Sequence, residues 1–316
     1  MPVDFWKKLS RRSQPILALA PMAGFTDSIF RQICKKYGAD VLYSEMASAT
    51  ALYYSARDNA TLELLKFERR KEKYYVVQLF GSNPEHFAAA ARIITKKIKP
   101  DGIDINFGCP VPKVCRQGAG AALMKDLKNS RAVVEAVLAN TDLPVSIKIR
   151  VKSGSVDALK FLKNISDLPI SALMIHGRTL AQGFVGAPDF KITKKARQYF
   201  KGVILVNGGI NSLTEARAAL KESGADGLGL ARGVLGRPWL FKEIKENKEI
   251  KLKSREIFKV MLDQAAAVEK QKGRSGILEL RKHLAWYAKG LPGAARLREK
   301  LVKVNSFAEV KKVLGD

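Results

Sequence analysis

VILVNGGINSLTEARAALKESGADGLGLA (residues 203–231) contains one strand–helix–strand unit: an apolar run at 203–207, a helix-like stretch at 212–223 and a second run at 227–231. The same alternation extends back along the chain. Short β-branched or apolar runs recur at 16–20 (ILALA), 41–45 (VLYSE), 75–80 (YVVQLF), 103–106 (IDIN), 144–149 (PVSIKI) and 172–176 (ALMIH), with helix-like stretches at 85–99, 129–140 and 155–166 among them. Eight strands with their starts 24 to 41 residues apart are implied. An eightfold repeat predicts an α/β fold, a closed (β/α)8 or TIM barrel. An open doubly wound sheet, the alternative, usually has fewer strands.

The rhythm fades after Phe241. Residues 242–254 form a connector rich in lysine and glutamate, and the remainder is helix-like at 255–272, 277–289, 292–303 and 306–314, punctuated by Gly273, Gly276 and Pro292–Gly293. The chain therefore divides into a barrel over 1–245 and a small C-terminal all-helical domain over 246–316. The stretch from Lys242 onward holds 19 basic and 10 acidic residues, a higher density of positive charge than the barrel.

Composition narrows the function classes. At 316 residues, 47% hydrophobic and 27% charged, the chain can bury a large core. No run of about 18 apolar residues suggests a membrane span. The N-terminus, with Asp4, Lys7, Lys8, Arg11 and Arg12, lacks the pattern of a secretory signal, so a cytoplasmic location is expected. Three cysteines, Cys34, Cys109 and Cys115, make neither a disulfide framework nor a common zinc pattern. The net charge of +26 stands out, and its spread along the whole chain points to a polyanionic partner such as nucleic acid.

In a barrel of this kind, side chains at the C-terminal strand ends converge on one mouth. Those ends offer Pro21-Met22-Ala23, Ser44-Glu45, Gln78, Asn106 with Cys109, Lys148 with Arg150, His176 with Arg178, Asn207-Gly208-Gly209 and Ala231-Arg232-Gly233. Buried Gln, Lys and His side chains need partners, which a polar cofactor would supply. Glycines after strands seven and eight suit a phosphate approaching bare backbone N–H groups, and one phosphate with an amide-rich ring favours FMN over NAD. Gly227-x-Gly229-x-x-x-Gly233 is not a dinucleotide fingerprint, because it overlaps a strand and has the wrong spacing. Within DINFGCPVPKVCRQGAGAALM (104–124), Cys109 directly follows a strand and precedes a proline-held, glycine-rich loop, so its thiol is expected in the mouth. Cys34 and Cys115 lack that placement and are expected to serve packing only.

With these residues placed, the chain resembles the dihydrouridine synthases, flavoenzymes that reduce uridine in transfer RNA. The resemblance runs through APMAGFTD (20–27), YSEM (43–46), VQLFGSNPE (77–85), DINFGCPVPKV (104–114), IKIR (147–150), IHGRT (175–179), VNGGI (206–210), LARGVLGRPWLF (230–241) and, in the tail, RKHLAWY (281–287), as in the bacterial-type branch. It implies that Pro21, Met22, Ala23, Gln78, Lys148 and His176 line or bond the flavin ring. It also implies that Asn207, Gly208, Gly209, Ala231 and Arg232 take the FMN phosphate, that Asn106 and Arg178 face the uracil, and that Cys109 donates a proton to C5. NADPH is the implied reductant and tRNA the implied partner, with no protein partner required of a monomer. Gly209 stands where many members have Asp, and Pro188 and Phe190 replace the usual Ala and Trp, which leaves the substrate-side loop as the departure from the pattern.

Two other readings remain at this level. Flavin barrels that act on free pyrimidines share the architecture, but the charge and the basic tail argue against them. A non-catalytic RNA-binding barrel would have no use for Cys109, Lys148 and His176 together. In the tail, Arg274, Arg281 and Lys282 are expected to grip RNA.

Overall fold

Near-continuous apolar runs suit strands buried on both faces, inside a ring and beneath its helices. In the computed structural model, which describes residues 4–55 and 60–315, eight parallel strands close into a barrel. In chain order they are β1 (Ile16–Leu19), β2 (Val41–Ser48), β3 (Tyr75–Phe80), β4 (Gly102–Phe107), β5 (Val145–Arg150), β6 (Ala172–His176), β7 (Val203–Asn207) and β8 (Gly227–Leu230). Each pairs with its sequence neighbours, and β8 pairs with β1 to complete the ring.

Because strand side chains alternate between faces, each strand divides its residues between the barrel interior and the helices outside. Ile16, Ala18, Ala172, Met174, Val203 and Leu205 form one buried cluster with Phe5, Trp6 and Leu9 of the N-terminal helix Phe5–Ser10. Ile147, Ile149, Leu173 and Ile175 pack outward into a second cluster with helix residues such as Val133 and Phe161. Gly229 of β8 leaves the space that Met174 fills, since a Cβ there would lie 2.6 Å from the Met174 sulfur.

Polar caps fix where the outer helices start. Asp27, Asn83, Asp126, Asp157 and Ser212 each accept a backbone N–H in the first turn of the helix that follows. Asp157 explains one departure from the predicted helix at 155–166. Residues 152–157 form a short antiparallel hairpin, and the helix runs over Ala158–Asn164. Likewise the stretch predicted at 85–99 is an α-helix only over Pro84–Ile93, continuing as a π turn over Ile94–Ile98.

Beyond the barrel lie helices Ser254–Tyr287, Ala294–Leu301 and Phe307–Leu314. The first is one element broken by a kink at Gly273, whose backbone is non-helical at φ +61°. Ile29 and Trp239 of the barrel share a buried cluster with Met261, Ala265, Leu280, Leu284 and Tyr287 of that helix. Gly236 adopts φ +69°, and a Cβ there would lie 2.3 Å from the Trp286 carbonyl oxygen, so backbone meets backbone at this junction. The close approach brings Trp286 to the mouth of the barrel. Among the described residues, no helix is long and apolar enough to cross a membrane.

Candidate active site

The C-terminal strand ends enclose a cavity of about 410 Å3, and every residue given a site role from the sequence lines it. Cys34 is buried in packing, and Cys115 is half-buried outside the cavity with its thiol 3.5 Å from the Cys109 carbonyl oxygen.

On the β3–β5 side the polar residues are joined to one another. Asp104, fully buried, accepts from Gln78 Nε2 at 2.7 Å and from Ser146 Oγ at 2.6 Å. Gln78 Oε1 accepts from Asn106 Nδ2 at 2.8 Å, and Asn106 Oδ1 accepts the backbone N–H groups of Gly108 and Cys109 at 3.0 and 2.9 Å. Lys148 Nζ donates to Asn207 Oδ1 at 3.2 Å, while Asn207 Nδ2 donates to the Gly229 carbonyl. The sequence suggested that these side chains needed a cofactor to satisfy them. The protein itself supplies partners for each, one for Lys148, two for Gln78 and three for Asn106.

Lys148, Arg150, Arg178 and Arg232 line the cavity, and no described lining residue carries a carboxylate. Burial, with help from the Arg150 charge, lowers the Lys148 ammonium to about 8. Burial and then the charges of Lys148, Arg150, Arg178 and Arg232 push the His176 pKa far down, so the imidazole is neutral. Arg178 Nη1 can only donate, so His176 Nε2, 3.3 Å away, accepts and its proton sits on Nδ1. A set of cations around a neutral histidine, with no carboxylate among them, suits an anionic ligand.

The strand-seven end is shaped for close approach. Gly208 has φ +107°, and a Cβ there would lie 2.4 Å from His176 Cδ2, so any side chain would close the space. Gly209 has φ +67° beside Pro188 and Arg178, while Arg232 and Gly233 form a 3-10 turn after β8.

Cys109 is half-buried at the cavity wall. Desolvation raises its thiol pKa, outweighing a backbone hydrogen bond and the charges of Arg150 and Lys148, so the group is protonated at neutral pH. Its carbonyl oxygen accepts from Ala121 N, and a Cβ on Gly120 would meet that oxygen at 2.9 Å.

Several lining groups were given no role from the sequence. Arg150 donates to the carbonyls of Gly108, Thr179 and Gly183, tying the Cys109 turn to the loop after β6. On that loop, Phe184 is 53% exposed, with the guanidinium carbons of Arg232 and Arg150 at 4.9 and 5.7 Å from its ring centre. Trp286 arrives from the tail helix. Asp104 carries no strand-end signal, since it lies inside the run 103–106, two residues before Asn106. The tail also needs a correction: Arg281 is committed to the Val304 and Lys303 carbonyls and Asn305 Oδ1, so it ties helices together and is a poor candidate for gripping RNA.

Fold and site together define a barrel enzyme with an anion-accepting pocket and a protonated thiol at its C-terminal mouth. The chain belongs to the dihydrouridine synthase family, whose profile (Dihydrouridine synthase, Dus) matches residues 18–315. It is 36% identical over 290 residues to tRNA-dihydrouridine synthase B of Pseudomonas syringae pv. tomato, covering 89% of this chain and 85% of that one. It is 34% identical over 303 residues to a probable tRNA-dihydrouridine synthase 1 of Synechocystis sp., covering 93% and 84%. Among solved structures, an old yellow enzyme homologue from Zymomonas mobilis shares the fold with TM-score 0.54 and 16% identity, over 75% of this chain and 90% of that one. Morphinone reductase does so with TM-score 0.53 and 15% identity, over 77% and 89%.

Proposed function

We propose that the protein reduces the C5–C6 double bond of uridine in tRNA to dihydrouridine, holding FMN in the barrel mouth and drawing on NADPH. The observation that carries this reading is a protonated Cys109 facing the same cavity as a glycine cradle and a ring of cations. Relatives that cover nearly the whole chain are named for the same activity on tRNA.

The site fits FMN. Gly208 and Gly209 with Ala231 and Arg232 form the cradle a phosphate needs, supported by Asn207. Gln78, Lys148 and His176 would hold the ring system, and Pro21, Met22 and Ala23 would line it. When bound, FMN supplies the hydride for uracil C6.

The chain's own residues do the rest. Cys109 holds its proton at neutral pH and gives it to C5 as negative charge gathers on the uracil. Arg150 and Lys148 then stabilise the thiolate left behind. Arg178, tethered through Nε to the Gly186 carbonyl at 2.8 Å, would direct its other N–H groups to the uracil oxygens, with Asn106 lining the same cavity. Phe184 and Trp286 narrow the entrance and exclude water.

A uracil stacked inside RNA cannot reach this depth, so the base must be extruded at a cost of a few kcal/mol. Interactions of phosphates with the basic surface and the helical tail, 246–316, offset that cost, and a cytoplasmic monomer suffices. The test is whether the purified protein releases FMN on denaturation and, with NADPH, forms dihydrouridine in tRNA lacking it. A colourless protein that takes up no FMN, or one that reduces free uracil or dihydroorotate in preference to tRNA, overturns the proposal.

A further inference from the structure

The order of donors and acceptors on β3 and β4 has a direction. Asp104 can present an acceptor at each oxygen, and Ser146 Oγ and Gln78 Nε2 take one each. An amide that donates to Asp104 must turn its oxygen the other way, and Gln78 Oε1 duly accepts from Asn106 Nδ2. Asn106 is then left with its oxygen toward the 108–109 turn, where two backbone N–H groups converge on it. Reversing Asn106 would set donor against donor at the Cys109 end, and reversing Gln78 would set its oxygen against the Asp104 carboxylate.

We infer that Asp104 is a positioning residue for the proton-donating thiol, acting through the side chains of Gln78 and Asn106 on the backbone N–H of Cys109. The inference rests on the proposed function only in taking Cys109 as the donor; the chain of hydrogen bonds stands without it. Gln78, Asp104 and Asn106 are all buried, so water competes poorly for their bonds and the set is satisfied only as a whole. Strand register supports the arrangement, with Gln78 opposite Asp104, and Asp104 and Asn106 opposite Ser146 and Lys148. Asn106 consequently spends its oxygen on the turn and one amide N–H on Gln78, so its effect on the uracil is exerted chiefly by holding Cys109.

Burial raises the Asp104 pKa to about 6, against the lowering effects of Gln78, Ser146 and Lys148; the buried Tyr43 hydroxyl from β2, itself raised by burial and by the Asp104 charge, is the other titratable group beside it. The carboxyl therefore changes charge within the range in which the enzyme can be assayed. Below about 6 the added proton can point to Ser146 Oγ, whose hydroxyl then accepts, so the acceptor toward Gln78 is kept in both charge states.

The test compares two substitutions. Asp104→Asn keeps an oxygen that can accept from Gln78 while its amide turns to Ser146 Oγ; Asp104→Leu has similar size and no acceptor. In Asp104→Leu, kcat on tRNA should fall about 10- to 100-fold with KM unchanged, the scale of a misplaced reacting group. Site-resolved alkylation of Cys109 by iodoacetamide, followed by mass spectrometry on the FMN-free protein, should quicken, with its pH midpoint moving down as the turn opens to water. Asp104→Asn should restore both readouts. An unshifted alkylation profile in the leucine variant, or an asparagine variant as impaired as leucine, overturns the inference. Should Asp104→Leu fail to fold, the polarity itself can be reversed. Asn106→Asp alone sets acceptor against acceptor and should lower Tm. Adding Asp104→Asn lets Gln78 turn over and should recover most of that loss, whereas a double variant no more stable than Asn106→Asp overturns the inference. Alkylation and Tm judge the positioning chain even if tRNA is not the substrate, so failure of the functional reading shows separately, in the wild-type assay.

Discussion

Below His176 and Asn207 at the mouth, β6, β7 and β8 face inward with Ala172, Met174, Val203, Leu205 and Gly229, whereas β3, β4 and β5 face inward with Gln78, Asp104, Asn106, Ser146 and Lys148. The first side is held by apolar burial, which has no direction and tolerates rearrangement. On the second, each atom depends on its neighbour's orientation. Buried side-chain polar atoms without a partner do occur among the described residues, at Trp6, Thr193, Gln264, His283 and Tyr287, and none lies in the β3–β5 network. The apolar side sets whether the barrel stands; the polar side sets where the thiol and the ligand's partners point.

That division predicts opposite consequences for one substitution on each side of the mouth. Cys109→Ala should lower the rate of uridine reduction by about 10² to 10⁴, the usual loss for a general acid, with thermal stability and flavin content nearly unchanged. Because burial raises the thiol pKa, the wild-type rate should stay level through neutral pH and fall as alkali removes the proton. A rate that declines through pH 7, or an alanine variant as fast as the wild type, would remove Cys109 from the mechanism. Met174→Ala, opposite Gly229, should do the reverse. It empties buried space and should cost about 2 to 5 kcal/mol in urea unfolding, with the pH–rate profile of the folded enzyme unmoved. Equal losses of rate and stability in both variants would erase the distinction.

The sequence revealed these two sides unequally. Apolar strands announce themselves through runs such as ILALA and VILVN, so all eight strands could be located, and with them the residues at their C-terminal ends. Polar groups at strand ends could be read because the fold gathers those ends. Asp104 could not, since a carboxylate inside a strand gains its meaning only from Gln78 and Ser146 on neighbouring strands, 26 and 42 residues away. Phe184 and Trp286 were missed for a related reason: a loop tip and a distant helix reach the mouth only after the chain folds. The hairpin at 152–157 was absorbed into a helix because its short runs carry no clear period.

Lys148 sharpens the comparison through pH. Its ammonium is depressed from 10.5 to about 8, so between those values the unfolded chain binds more protons than the folded one. Stability of the FMN-free protein should therefore rise with pH over that window: the cost of the buried charge is fully present below 8 and gone above 10.5. Lys148→Met should stabilise the FMN-free protein at pH 7, on the order of 1 kcal/mol, with the advantage shrinking as pH approaches 10.5. A difference that does not change with pH would mean that the lysine is not charged at a cost in the folded state.

The smallest effect is expected farthest from the mouth. Arg281 and Arg274 both reach Asn305, and Lys282 lies over the Phe25 ring at 5.2 Å, so replacing these three would confuse weaker RNA binding with damage to the tail's own structure. Arg296, Arg298 and Lys300 are exposed and offer a cleaner choice. Replacing each with glutamine should weaken tRNA binding by a similar modest factor and reduce the slope of log affinity against log salt by up to about 1 for each phosphate no longer neutralised. Flavin reduction by NADPH should not change, because these side chains do not line the cavity. A triple variant with unaltered salt dependence would place the RNA grip on the barrel's own basic surface, and the tail would then serve the site only by delivering Trp286.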